Sequence, residues 1–272
     1  MRITFGIVTD GISDARIEKI IASIESQNIT NYEILIVGNS KINRSRVKVF
    51  PFHEEMGVPL GKKKNLITSH AQFPIVMYMH DYFVLDKDWY TNFTSNRNTQ
   101  DFDIAMCSII GLDGERYRDW TLWPHNGCLL DLLVMGNRCL LPYDYVHLGE
   151  FMYFSGGFWI GRLDFMKANP ISEELLAGQG EDVEWSMRVR NSARLVMCEN
   201  AKVHILKDKE PIMQPISKIT NWILSSRDSE ILYRTLALQV PKSLISCMRK
   251  LYDVHIRVKR KARRVISLSG KI

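Results

Sequence analysis

No apolar stretch of this 272-residue chain approaches the roughly twenty residues a membrane-spanning helix needs, so no span is expected. Cysteine is sparse. Cys107, Cys128, Cys139, Cys198 and Cys247 form an odd set without a close pair, which fits neither a disulfide framework nor a zinc module and makes reducing cytosol the default. Repeats and low-complexity tracts are missing. The amino terminus runs straight into a strand interrupted by Asp10, too early and too polar for a secretory signal, so a cytoplasmic protein is expected. Aromatic residues are not interleaved with the basic residues of the C-terminal region as stacking on bases would require, and no nucleic-acid partner is expected. What is present is apolar mass. A hydrophobic content of 46% over this length can bury a substantial core, and we expect one large α/β domain, residues 1–210, with a helical basic tail, residues 211–272.

Within the domain the first half, residues 1–90, alternates strand and helix signals. Ile3 to Val8 reads as a strand ending in Thr9-Asp10-Gly11, and Glu33 to Val37 as another ending in Gly38-Asn39-Ser40. Ser13 can cap a helix whose apolar face is Ile17, Ile20, Ile21 and Ile24. Arg46 to Phe50 is strand-like, a Gly57-Val58-Pro59-Leu60-Gly61 turn follows, and a second helix runs from about Lys62 to Ala71. The apolar run Pro74 to Met79 is then a buried strand closing in His80-Asp81-Tyr82. This order implies a mainly parallel sheet covered on both faces, with polar strand ends at the edge where open α/β folds bind ligands.

Two acidic sites stand out. His80 and Asp81 lie at a strand end, and Gly178-Gln179-Gly180-Glu181-Asp182 sets two carboxylates at the start of an amphipathic helix, where the dipole favours negative charge. Leu195 to Cys198 and Lys202 to His204 read as two further strands, bringing His204 back to the same neighbourhood. The second helix opens Lys62-Lys63-Lys64-Asn65, and its cations can reach a phosphate at the helix start. Between the halves, Arg116, Tyr117, Arg118, Asp119, Trp120, Trp123 and His125 make either a sugar-stacking surface or ordinary packing. In the tail, Leu244, Met248, Leu251, His255, Val258, Ala262 and Val265 form an apolar stripe among eight arginines and lysines, Arg249 to Arg264. Two readings stay open there: a membrane-surface helix attracted to anionic lipid, or a helix packed on the domain or on another subunit.

These motifs resemble the GT-A glycosyltransferases, especially family 2, over about residues 3 to 206: the polar strand ends, His80-Asp81-Tyr82 with Asp86-Lys87-Asp88-Trp89, the segment Tyr153-Phe154-Ser155-Gly156-Gly157-Phe158-Trp159, Gly180-Glu181-Asp182, and His204. The Glu-Asp pair is also similar to that of β-1,4-galactosyltransferases. The resemblance implies a GT-A fold, Rossmann-like and mixed but mainly parallel, with residues 1–90 binding a nucleotide-diphosphate sugar and residues 91–210 the acceptor. It places Thr9, Asp10, Gly11, Asn39, Lys64, Asn65, His80 and Asp81 on the donor, a UDP-sugar being favoured, with Asn39 standing where many relatives hold the base with aspartate. It gives Gly156, Gly157, Trp159 and Trp120 to a glycan or lipid-linked acceptor. Asp182 becomes the general base of an inverting transfer, and Glu181 orients the acceptor or the helix start. Asp81 and His204, with the donor's phosphate oxygens, would hold Mn2+ or Mg2+. The alternatives are a nucleotidyltransferase acting on sugar phosphates, which the absence of a glycine-rich loop after strand one disfavours, and a non-catalytic glycan-binding protein.

Overall fold

The isoleucines of the first helix meet the sheet as their spacing predicts. In the computed structural model, α1 (Asp14–Glu25) starts at Ser13, whose hydroxyl accepts from the Arg16 amide, and Ile17, Ile20, Ile21 and Ile24 are wholly buried. They join one core with Ile3, Phe5 and Ile7 of β1 (Ile3–Val8). Successive side chains of a strand point to opposite faces, so Gly6 lies on the other face, where α2 (Leu60–His70) packs. A Cβ at Gly6 would collide with Ile67 of α2, so glycine there sets how closely this helix approaches.

The described residues are 1–52, 60–123, 128–130, 139–145, 149, 151–208, 214–215, 240–241, 243–244, 247 and 250. They complete the domain with β2 (Tyr32–Val37), β3 (Val47–Phe50), β4 (Ile75–His80), β5 (Phe83–Leu85), α3 (Trp89–Ser95), β6 (Ile104–Ile110), β7 (Thr121–Leu122), β8 (Cys139–Leu140), β9 (Met152–Tyr153), β10 (Phe158–Arg162), α4 (Leu163–Ala168), α5 (Glu181–Val189) and β11 (Leu195–Ile205). Eight strands form one sheet in the order β3-β2-β1-β4-β10-β6-β11-β5. The first four are parallel, and β10 runs antiparallel between β4 and β6. β6 pairs parallel with β11, and β5 antiparallel with β11. The α/β sheet is therefore mixed and mainly parallel, as expected.

One strand assignment changes. Leu195 to His204 is not two strands but part of the single β11, whose pairing with β6 shifts register between Cys198 and Lys202. The polar Glu199-Asn200 that reads as a break is held there, because the Ser108 hydroxyl donates to the Glu199 carbonyl. All five cysteines are free thiols, and Cys107 and Cys198 are register partners across β6 and β11. Burial pushes Cys198 up to about 12, which keeps it a protonated apolar filler.

The chain divides into two compact units, Met1–Leu122 with Leu140–Met213, and Trp123–Cys139 with Gln214–Ile272. The sheet and the candidate site belong to the first. In the second, the described residues include the short strand Gln214–Pro215 and the exposed Leu244, Cys247 and Lys250. The rest of the expected stripe, Met248, Leu251, His255, Val258, Ala262 and Val265, lies outside the described residues, as do His125 and the Gly57-Val58-Pro59 turn. Among the described residues no helix is long and apolar enough to cross a membrane.

Candidate active site

Three parallel strand ends meet at the carboxyl edge of the sheet: Thr9 to Gly11 after β1, Asn39 after β2, and His80-Asp81 at the end of β4. The Asp81 amide donates to the Val8 carbonyl, and its Oδ2 accepts from the Thr9 hydroxyl at 2.7 Å. Thr9 Oγ1 in turn accepts from the Gly11 amide at 3.0 Å. Gly11 has φ of +81° and lies against the Asn39 backbone so closely that any Cβ would collide, so only glycine closes this turn. Asp10 and Asn39 are exposed at the edge. Arg16, in the first turn of α1, reaches Asp81 Oδ2 at 3.6 Å. Burial nevertheless raises the Asp81 carboxyl above its ordinary range, outweighing the Thr9 bond and the Arg16 charge.

The lysines of α2 do not behave as a phosphate cradle. Lys62 is exposed, while Lys63 is buried and donates to the Thr9 carbonyl at 2.7 Å. Lys64, expected to contact the diphosphate, is 0% exposed; its Nζ meets Glu181 Oε1 at 3.0 Å and lies 4.7 Å from the centre of the Trp159 ring. An ammonium enclosed by a carboxylate and an indole is a structural cation. Asn65 is also turned inward: it exchanges two hydrogen bonds with the Ile171 backbone and donates to Glu173 at 2.9 Å. These two residues thus fix both ends of the segment 171–181 that precedes Asp182, in place of the donor contact expected of them.

Asp182 sits in the first turn of α5, whose N-cap Gly180 is left-handed, with φ of +80°. Its Oδ2 accepts from the Tyr153 hydroxyl at 2.5 Å and the Gly156 amide at 2.9 Å, and its Oδ1 from the Val183 amide at 2.9 Å. Burial, followed by the Asp182 charge, pushes the Tyr153 phenol well above its ordinary range, so it stays protonated and donates. The Asp182 carbonyl accepts from Ser186, and Ser186 accepts from the Phe154 amide, tying the same turn to the segment after β9.

The acceptor residues expected from the sequence need correction. A Cβ at Gly156 would collide with Asp182 Oδ2, and one at Gly157 would press on Phe83 and the Tyr82 hydroxyl. Both glycines serve close approach within the protein. Trp159 is 1% exposed, stacked on Tyr78 with centroids 4.9 Å apart and packed against Trp185 at 5.5 Å. Trp120 is fully buried. Neither indole has a free face for a pyranose, because each fills the core.

For a divalent ion, Asp81 fits a site of the kind hard cations share with phosphate oxygens, and its Oδ2 already attracts a cation in Arg16. His204 fits less well: its Nε2 meets Asp86 Oδ2 at 3.0 Å. Burial alone would raise the Asp86 carboxyl, but the hydrogen bonds from His204 and the Asp88 amide, together with the charges of His204 and Lys202, outweigh it and hold Asp86 below its ordinary range. Among the described residues no three His, Cys, Asp or Glu side chains gather as a metal cluster. An ion would therefore draw most of its ligands from the donor and water. Sequence reasoning missed Arg16 and gave Tyr153 no role. A cation in the first turn of a helix runs against the dipole, which was the available signal for Arg16; a phenol pairing 29 residues away with Asp182 leaves none.

No family model and no curated protein sequence matches the chain. Solved structures do. S. aureus TarS aligns at 14% identity and a TM-score of 0.52 over 76% of this chain, which spans 37% of that one. Its 1–349 fragment in complex with UDP-GlcNAc aligns at 15% identity and 0.52 over 92% of this chain and 70% of its own length. GalNAc-T7 with UDP, GalNAc and Mn2+ aligns at 14% identity and 0.55 over 77% of this chain, which covers 44% of that one. At these identities the likeness establishes the fold: it is the GT-A glycosyltransferase fold.

Proposed function

We propose, from this fold, that the chain is a glycosyltransferase of the family 2 type, moving a sugar from a nucleotide-diphosphate donor, with a UDP-sugar favoured, to a hydroxyl of a glycan or lipid-linked acceptor. The observation that carries the reading is the Asp182 carboxylate, fixed at the start of α5 by a phenol, a glycine amide and its own neighbour's amide. A carboxylate offers about four acceptor positions, and these bonds fill three, leaving about one for an incoming hydroxyl. Asp182 takes the proton as the acceptor oxygen bonds to the anomeric carbon. The bond from that carbon to the diphosphate breaks in the same displacement, so the anomeric configuration inverts. Tyr153 and Gly156 keep the base in place through the step, and Lys64 acts on it from behind by holding Glu181.

On the donor side, Thr9, Asp10, Gly11, Asn39, His80 and Asp81 border the nucleotide-sugar, with Asn39 offering a carbonyl acceptor and an amide donor to the base. A divalent ion, Mn2+ or Mg2+, held by Asp81 and the donor's own phosphates would offset the charge gained by the leaving diphosphate. Arg16 adds a fixed positive charge beside the same carboxylate. For a lipid-linked acceptor the basic residues of the tail supply attraction to an anionic surface at the inner face of the membrane. Thermal shift against UDP-, GDP- and dTDP-sugars, with and without Mn2+, tests the donor. One UDP-sugar should stabilise the protein by about 2.7 kcal/mol at a hundredfold over its Kd. No stabilisation by any of them would contradict the reading.

A further inference from the structure

Two arginines, Arg16 and Arg116, are neutralised by carboxylates. Arg16 faces Asp81 at 3.6 Å, and Arg116 grips both carboxylate oxygens of the buried Asp119, at 2.7 and 3.2 Å. Arg118 has no acidic partner among the described residues, and its Nε is buried without a hydrogen bond. Among the described residues it is also one of three non-glycine residues with positive φ, at +45°. A bulky side chain rarely adopts that backbone, and such residues collect at functional sites when their surroundings hold them there. Here both neighbours are pinned to the end of β6. The Tyr117 amide donates to the Ile109 carbonyl at 2.7 Å, and the Ile109 amide donates to Asp119 at 3.2 Å. The chain between them has to turn through Arg118.

Because β10 runs antiparallel to both β4 and β6, the carboxyl end of β6 and the turn that follows it lie at the same sheet edge as the end of β4 and the Gly156-Gly157 segment before β10. The Arg118 guanidinium lies 5.2 Å from the centre of the Tyr117 ring. Its positive charge opposes the effect of burial on the phenols of Tyr82, Tyr117 and Tyr153. Tyr153 is the group bonded to Asp182, and Tyr82 also senses the Asp182 charge. A guanidinium that meets the Tyr117 phenol and no carboxylate among the described residues, built into a strained turn at this edge, is suited to an oxyanion. On the Asp81 side, Arg16 already supplies the positive charge.

We propose that Arg118 is the contact for an oxyanion, phosphate or carboxylate, carried by the acceptor close to the hydroxyl that Asp182 deprotonates. This rests on the transferase reading and narrows it to acidic acceptors. The guanidinium fixes the acceptor by paired hydrogen bonds, so specificity is a matter of charge as well as of hydroxyl position.

The test uses the full chain with its diphosphate site filled by UDP, and glycerol 3-phosphate and glycerol as probes in calorimetric titration. Wild type should bind glycerol 3-phosphate and not glycerol. Arg118→Gln should weaken that binding at least about tenfold, the size of one lost charge-assisted contact, with UDP affinity unchanged. Arg118→Gly is the folding control, because glycine suits the positive φ: it should melt close to wild type and still lose the anion. Equal glycerol 3-phosphate binding by wild type and variants overturns the proposal, as does failure of wild type to bind it. A fall in UDP affinity instead assigns Arg118 to the donor's diphosphate and also overturns it. If UDP itself does not bind, the transferase reading falls and takes this inference with it; UDP binding without an Arg118-dependent anion removes the inference alone.

Discussion

Asp81 and Asp182 both stand beside glycine turns at the site, and they are held in opposite ways. Asp81 keeps one charged partner, Arg16, that is partly exposed, so a ligand or an ion can exchange with it. Asp182 is held by neutral donors, Tyr153 and two amides, and the residue before it is locked by a buried ion pair. An exchangeable partner suits a carboxylate that must receive charged ligands, and a fixed cage suits one that must meet a hydroxyl at a set geometry. The contrast extends to the supporting helices. α1 presents its cation outward to Asp81, whereas α2 sends Lys64 inward to Glu181.

The strongest way to break the contrast is to open the fixed side. Lys64→Met leaves Glu181 charged and buried without a partner, which should cost about 3–5 kcal/mol in denaturant unfolding. Lys64→Met combined with Glu181→Leu should regain most of it. A single-variant loss below about 1 kcal/mol would show that the pair is not structural. On the exchangeable side the effect is on binding. Asp81→Ala should weaken donor binding at least about tenfold, and chelation of wild type should mimic it. His204→Ala should leave donor affinity near wild type, since its ring is engaged by Asp86. A loss equal to that of Asp81→Ala would restore His204 as a ligand.

The smallest effect lies away from both sites and serves as a control. Arg194 hydrogen-bonds Asp103 and holds its carboxyl below the ordinary range. The folded pKa is below the unfolded value of about 3.9, so this stability is present above that pH and is lost as pH falls through the folded pKa. Arg194→Gln should flatten the acid side of the stability profile without changing turnover. An unchanged acid limb would mean that the exposed pair contributes nothing, as many such pairs do.

Much of the scaffold was legible because it is local. The Ile17, Ile20, Ile21 and Ile24 stripe marks α1 by its period, and proline-bounded β4 carries His80-Asp81 to the sheet edge. The Glu181-Asp182 pair was visible as acid at a helix start. The fate of individual side chains was not legible, since it depends on partners far along the chain. Lys64 finds Glu181 at a separation of 117 residues, and a lysine at a helix start looks the same whether it faces solvent or core. Trp120 reads as a sugar platform or as packing and Trp159 only as part of an acceptor-side segment by resemblance, and it is the assembled protein that buries both. Gly156 carries no sign in the sequence that its missing Cβ makes room for Asp182.

The most direct test of the central assignment pairs turnover with donor affinity in Asp182→Asn. The amide keeps the shape of the side chain and removes its basicity. Transfer should fall by about a hundredfold to ten-thousandfold, the usual contribution of a positioned base, while donor Kd stays within about twofold because the base acts on the acceptor. Turnover equal to wild type in a folded Asp182→Asn protein would contradict the account.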